Sequence, residues 1–167
     1  MSQRCEARFL VLAVICVGLN PLAVAEVKQS YAVRYYEVPY GEYQYRQLVQ
    51  YAPMCVDGKR YVGCTKWDLR WSYKHRQDLR CVLLNFSIAV TGTIYIPKIA
   101  EQSLSKNPIL RRAVDALLRH EEGHLDFPVQ AAYRLEHEIK KIGDRYKTCT
   151  ELGNFIDKIG NRLLLDA

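Results

Sequence analysis

The chain has 167 residues, with 24 Lys and Arg against 18 Asp and Glu, and so carries a formal net charge of +6. This excess is modest and spread along the sequence, without the basic stripe and recognisable module of a nucleic-acid-binding protein. The composition therefore argues against a nucleic-acid partner, and it is compatible with solubility and with attraction to anionic envelope surfaces.

The N-terminus has the pattern of a secretory signal peptide. Arg4 and Arg8 precede the apolar run 9–19, which is too short to span a bilayer comfortably. Small residues then stand at Ala23 and Ala25, the two positions that a signal peptidase reads. We therefore predict cleavage after Ala25.

A lipoprotein anchored at Cys16 is the alternative, although Ile15 is bulkier than the residue that usually precedes a lipidated cysteine. Removal of residues 1–25 leaves 22 basic and 17 acidic residues, a net charge of +5. The remaining segment, 26–167, is long enough for one domain with a hydrophobic core. We predict a single secreted or periplasmic domain without a membrane span.

Four cysteines follow the predicted cleavage point: Cys55, Cys64, Cys81 and Cys149. An even number in an exported chain indicates two disulfides. Of the three possible connectivities we favour Cys55–Cys64, across a turn, and Cys81–Cys149, which would join the sheet to the C-terminal helices. The alternative of a four-thiolate zinc site lacks the short Cys-x-x-Cys pairs typical of such sites.

The first half of the mature chain is rich in β-strand patterns. We predict strands over 31–38, 66–73, 82–90 and 93–96, and a short helix over 43–51 with Leu48 inward. Apolar residues alternate with polar ones through 66–73, which is typical of a strand buried on one face. The basic segment 74–80 is predicted to be the loop of an antiparallel hairpin.

Helical patterns begin at Asn107, a good N-cap residue, with Pro108 at the first helical position. An apolar stripe follows at Ile109, Ala113, Val114, Leu117 and Leu118. We predict that Phe127-Pro128 breaks or kinks this helix. A second helix over 128–141 and a last one over 149–164 are expected to follow. The predicted fold class is α+β, with an antiparallel sheet followed by an active-site helix and C-terminal helices.

The segment His120-Glu121-Glu122-Gly123-His124 contains a His-Glu-x-x-His motif within the predicted helix. Because a helix turns about 100° per residue, His120 and His124 lie on nearly the same face and can bind one Zn²⁺ ion. Glu121 can then act as general base towards a metal-held water. The alternative is that these are solvated polar residues of an amphipathic helix.

The order of sheet, motif helix and further helix resembles that of zincin metalloproteases. More closely, the chain resembles the predicted secreted zinc-dependent protease family of bacteria. The resemblance covers nearly all of the mature chain and includes Tyr35-Tyr36-Glu37-Val38, Gly41, Leu48, Pro53, Gly63, Thr65, Trp67, Trp71, Tyr73, Cys81, Ile96-Pro97, the His-Glu-x-x-His motif and Cys149. It implies a zinc-dependent peptidase with His120 and His124 as ligands and Glu121 as catalytic base, acting on a peptide or protein in or outside the cell envelope.

Family members often end in a Tyr-Asp…Thr-x-His-Gly stretch, to which this chain has nothing corresponding. A catalytic zinc ion normally has three protein ligands and a water. The candidates for the third ligand are Asp126, Glu136, His137, Glu138 and Asp144. We favour Glu136, on the inward side of a following helix, because a glutamate so placed completes the site of thermolysin-like zincins. His137 comes next. The alternative for Glu136 is a surface ion pair with Lys140, one turn later.

The sequence leaves three hypotheses. The leading one is a secreted zinc peptidase that binds its substrate along a sheet edge, for which 93–96 is the candidate by analogy. The second is a catalytically silent zincin-like domain that binds zinc or a protein partner. The third is a structural, disulfide-stapled envelope protein with a fortuitous motif.

Overall fold

The computed structural model describes residues 24–41, 43–142 and 145–165. Its elements in chain order are β1 (Val24–Glu37), α1 (Tyr45–Tyr51), β2 (Cys64–Gln77), β3 (Cys81–Lys98), α2 (Glu101–Lys106), α3 (Pro108–Lys140) and α4 (Cys149–Leu165). The predicted α+β class is confirmed, as are both disulfides, Cys55–Cys64 and Cys81–Cys149. No described helix has the length and apolar character needed to cross a membrane.

Residues 1–23, which include Cys16 and most of the predicted signal peptide, lie outside the described residues. Val24 and Ala25 begin β1, and Ala25 stands opposite Phe86 of β3. The predicted cleavage point therefore falls within the first strand, and cleavage there stays a prediction.

The three described strands form one sheet in the order β1-β3-β2. β2 and β3 are antiparallel, so the predicted hairpin is confirmed, whereas β1 pairs with β3 in parallel and makes the sheet mixed. The predicted loop 74–80 was too long, because β2 continues to Gln77 and β3 starts at Cys81. Only residues 78–80 join the two strands.

The central strand β3 also corrects two predictions. The segments 82–90 and 93–96 are parts of one strand, which runs through Gly92. The prediction of 93–96 as a sheet edge was wrong, since residues 93–95 pair on one side with 32–34 of β1 and on the other with 64–66 of β2. The predicted strand 31–38 is the second half of β1, and its parallel pairing with β3, which the sequence did not predict, covers the edge that the hairpin alone would leave free.

The core lies between the sheet and the long helices. Alternate residues of β3, namely Phe86, Ile88, Val90, Ile94 and Ile96, are buried. The first three pack with buried residues of α3 and α4, including Ala132, Leu135, Ile139, Leu152 and Ile156. The period-2 and helical patterns thus identified the core-facing residues, including Leu48 in α1. Two residues of the predicted stripe are exceptions: Ile109 is 72% exposed, and Ala113 is also exposed.

The predicted break at Pro128 was wrong, because α3 continues through it from Pro108 to Lys140. Its N-terminus is as predicted: the Asn107 side chain accepts a hydrogen bond from the Leu110 N–H at 3.0 Å. Pro128 removes one backbone donor, at a typical cost of about 3 kcal/mol. Its ring is buried in the core-facing stripe of α3, and this packing on both sides of the proline maintains the helix.

Gly92 sets the position of α3 on the sheet. A Cβ atom at this residue would lie 2.5 Å from the Leu125 side chain, which occupies the space above the strand. Leu125 is buried there with Ile94 and Ile96. Because Leu125 directly follows His124, the same contact fixes the height of the motif above β3.

We predict that Tyr36→Phe destabilises the fold by about 1 kcal/mol, the usual net value of one hydrogen bond. The Tyr36 hydroxyl donates to the Val62 carbonyl at 2.7 Å, and burial raises the pKa of Tyr36 to about 12. Because the protonated form is the one favoured by folding, this contribution is complete below about pH 10 and is lost as the pH rises towards 12. Urea unfolding and a spectrophotometric tyrosine titration measure both effects.

Tyr35→Phe is the matched control, since Tyr35 is a neighbouring and exposed ring. We expect it to leave both the stability and the high-pH tyrosine ionisation unchanged. An unaltered high-pH ionisation in Tyr36→Phe would contradict the assignment.

Candidate metal centre

The core-facing stripe of α3 determines where each motif residue lies. Glu121, Leu125, Pro128, Ala132 and Leu135 are buried at successive spacings of three or four, which places them on one side of the helix. Glu121 is 5% exposed and is the one charged residue buried in the described chain. The histidines each stand close beside this stripe and are exposed, so they emerge where the helix meets the solvent.

The two histidines approach one another as the i, i+4 spacing predicts. His120 Nε2 and His124 Nε2 are 3.3 Å apart, and the ring planes are inclined at 83°. One ligand atom from each of His120, Glu121 and His124 can be chosen so that all three lie within 4.8 Å of one another. Among the described residues this is the single such cluster of His, Cys, Asp and Glu side chains.

The spacing of the nitrogens fits a zinc ion. Two imidazole nitrogens that each lie about 2.0–2.1 Å from one tetrahedral ion are separated by about 3.3–3.4 Å. The 3.3 Å between His120 Nε2 and His124 Nε2 matches this value and is longer than a typical N–H hydrogen bond. Imidazole and carboxylate are also donor types that zinc accepts.

Glu121 is held by the segment that begins β2. The Thr65 hydroxyl lies 2.8 Å from Glu121 Oε2 and 2.8 Å from the Glu121 backbone carbonyl. Gly63 lies directly beneath the side chain, where an added Cβ would come within 2.4 Å of Glu121 Oε1. Both contacts bridge distant parts of the chain, 56 residues apart for Thr65. They fix the carboxylate beside the two imidazoles.

A cleft of about 510 Å³ lies over the motif and contains the two imidazoles and the Glu121 carboxylate in its wall. The opposite wall is the loop closed by Cys55–Cys64, from which Tyr61 and Asp57 line the cleft. The Tyr61 hydroxyl donates a hydrogen bond to Asp57 Oδ2 at 2.7 Å, and this bond lowers the pKa of Asp57. The disulfide therefore closes the loop that brings Tyr61 and Asp57 into the lining of the cleft.

The structure does not bring Glu136 or His137 to the histidines. Because α3 is continuous, Glu136 lies twelve residues beyond His124, about 18 Å along the helix axis. Its carboxylate is 2.9 Å from Lys140 Nζ, the ion pair considered as the alternative. His137 is exposed one residue further on. The expected return of the chain on a second helix depended on a break at Pro128, which does not occur.

The other candidates for a third ligand are also placed elsewhere. Asp126 lines a separate cavity of about 320 Å³ between α3 and β1, next to Tyr31. Glu138 is 3.0 Å from Lys141 Nζ. Asp144 lies outside the described residues. Within the part of the chain that is described, the side chains at the centre are those of His120, Glu121 and His124.

Sequence reasoning gave no role to Gly63 and Thr65. Both belong to the pattern on which the resemblance rests, but their contacts with Glu121 depend on how β2 meets α3. The available signal was the glycine itself, since glycine is used where the backbone must approach another group closely.

Comparison with known proteins gives one family. The family described as "Bacterial protein of unknown function (DUF922)" matches residues 33–167, which is most of the chain. The chain belongs to this family. No curated protein and no solved structure gives a significant match. The match to DUF922 includes β2, the disulfide loop and α3, and so contains every residue of the candidate centre.

We predict that Gly63→Ala destabilises this DUF922 protein by about 1–3 kcal/mol, the usual cost of overpacking. The new methyl group and the buried Glu121 side chain cannot both keep their positions, since they would overlap at 2.4–2.8 Å. Chemical denaturation measures the difference.

Gly123→Ala provides the matched control within the motif. An added Cβ at Gly123 has no neighbour within 4 Å, and alanine favours a helix by up to about 1 kcal/mol over glycine. We expect this variant to be as stable as the wild type or more so. Equal stability of Gly63→Ala and wild type would show that the close packing on Glu121 is absent.

Proposed function

We propose that this protein is an exported zinc-dependent hydrolase that cleaves peptide bonds. In this proposal His120 and His124 bind the ion and Glu121 is the general base. The observation that carries it is the 3.3 Å separation of the two Nε2 atoms, with a buried carboxylate fixed alongside. Two disulfides support the exported location, since they persist in oxidising compartments.

When bound, zinc would supply Lewis-acid polarisation of the scissile carbonyl and would lower the pKa of an attacking water. Glu121 accepts the proton of that water and later delivers it to the leaving amine. The Thr65 hydroxyl lies 2.8 Å from Glu121 Oε2, and this contact holds the carboxylate beside the two imidazoles. The burial of this carboxylate limits its own contact with bulk water.

The cleft supports a peptide as substrate. It is an open groove between α3 and the disulfide loop, and apolar walls from Val62, Trp67 and Leu117 flank the polar centre. An extended peptide can lie in such a groove with side chains against the apolar walls.

The second candidate function is a catalytically silent zinc-binding module. It is favoured by one observation: the described cluster offers two imidazoles and one carboxylate, whereas catalytic zinc sites usually have three protein ligands and a separate base. If Glu121 is itself the third ligand, the motif binds zinc without its base. The two functions differ in what the Glu121 side chain does.

Glu121→Gln separates them. If Glu121 is the base, the variant keeps about one zinc per chain and loses about 10²- to 10⁴-fold in the cleavage of a fluorogenic peptide library, since general-base catalysis is worth this much. Metal content and initial rates on the same preparation measure both properties. The proposed peptidase is contradicted if zinc-loaded wild type cleaves no member of the library, or if Glu121→Gln is as active.

Glu122→Gln is the matched control. Glu122 is the adjacent residue of α3 and lines the cavity on the β1 side of the helix instead of the cleft. We expect wild-type zinc content and wild-type rates for this variant. Loss of zinc in Glu121→Gln alone would favour the binding module.

A further inference from the structure

The turn between β2 and β3 carries an exposed leucine. Residues 74–80 are all exposed, and Leu79 has a relative exposure of 101%, so its side chain touches no part of the fold. Tight turns favour glycine and small polar residues. A single exposed leucine is ordinary on a protein surface, and the significance of Leu79 depends on what surrounds it.

Basic residues are frequent in the hairpin segment that carries Leu79 and in the segment that contacts it. The hairpin segment 74–80 has Lys74, Arg76 and Arg80 against the single acid Asp78, which pairs with Arg76 at 2.9 Å. The segment 145–147, which precedes α4, adds Arg145 and Lys147. The two segments together hold five basic residues and one acidic residue. We call this surface, residues 74–80 with 145–147, the basic tip.

The two parts of the basic tip are fastened to each other. Gln77 Nε2 donates to the Lys147 carbonyl at 2.9 Å, and the Cys149 N–H donates to Gln77 Oε1 at 2.9 Å. The Cys81 N–H donates to the Tyr146 carbonyl at 3.1 Å, and Cys81 is bonded to Cys149. These contacts therefore hold the two segments together as one surface.

We propose that the basic tip docks the protein on an anionic lipid bilayer. An apolar side chain at the apex with lysines and arginines around it is the arrangement that binds membrane interfaces: the apolar group enters the headgroup boundary and the cations attract anionic lipids. The surface is small and carries a single apolar anchor, so the predicted association is reversible and weakened by salt.

The location of the basic tip fits this role. β2 begins beside Glu121, where Thr65 contacts the carboxylate, and Lys74 lies nine residues further along the strand. Nine strand residues span about 30 Å. Docking through the basic tip would leave the cleft free and directed away from the bilayer. This inference stands independently of the proposed hydrolase.

Vesicle sedimentation tests the proposal. The protein is expressed as the full chain and purified as the host exports it, and its N-terminus is determined by mass spectrometry. We expect binding to vesicles of phosphatidylglycerol and phosphatidylcholine, little binding to pure phosphatidylcholine, and loss of binding at high salt. Leu79→Asp should weaken binding at least tenfold.

The control is Ile109→Asp, which makes a similar change of charge and polarity. Ile109 is 72% exposed at the start of α3. We expect this variant to bind vesicles like the wild type. Lys74→Gln combined with Lys147→Gln should weaken binding about fivefold for each charge removed. Lys106→Gln combined with Lys158→Gln is the control for that pair. All variants share one N-terminus, so differences among them report on the basic tip.

Three results would overturn the proposal. The first is no preference for anionic vesicles in the wild type. The second is equal binding by Leu79→Asp and Ile109→Asp. The third is binding to soluble heparin as tight as to vesicles and insensitive to Leu79→Asp, which would identify an anionic polymer as the ligand.

Discussion

The structure of the candidate centre depends on the burial of one carboxylate. Removing a charged group from water is costly unless it is bonded, and the Thr65 hydroxyl bonds Glu121 at 2.8 Å while Gly63 makes room for its side chain. This contact joins β2 to α3 directly at the motif. With Glu121 facing the sheet, the helical spacing leaves His120 and His124 beside it at the cleft, and their separation follows from the i, i+4 relation.

The two disulfides stabilise opposite ends of this arrangement. Cys55–Cys64 closes the loop that forms the far wall of the cleft, and it ends between the two residues that contact Glu121. Cys81–Cys149 joins the start of β3 to α4 beside the hairpin turn. The sheet between them separates the cleft proposed to bind a peptide substrate from the basic tip proposed to dock on an anionic bilayer.

Sequence patterns predicted the features that depend on neighbouring residues. They did not predict the features that depend on contacts between distant parts of the chain. The motif, the Asn107 cap and the strand 66–73 could be predicted from local patterns. The confirmed disulfide pairing was the favoured one of three connectivities, chosen from a predicted turn and from the expected contact of sheet and helices. Pro128 was misleading because its local preference is overridden by packing on the core. The segment 93–96 was misplaced because β1 pairs in parallel from a distant part of the sequence. The favoured third ligand, Glu136, depended on the break at Pro128 and is not brought to the centre.

The most direct test of this account is the zinc content of the purified, oxidised protein compared with that of His124→Ala. His75→Ala is the control, because His75 is exposed on β2 outside the cluster. The account predicts about one zinc per chain in the wild type and in His75→Ala, and loss of zinc in a folded His124→Ala. A folded wild type that binds no zinc, or a His124→Ala variant that binds as much as the wild type, would contradict it.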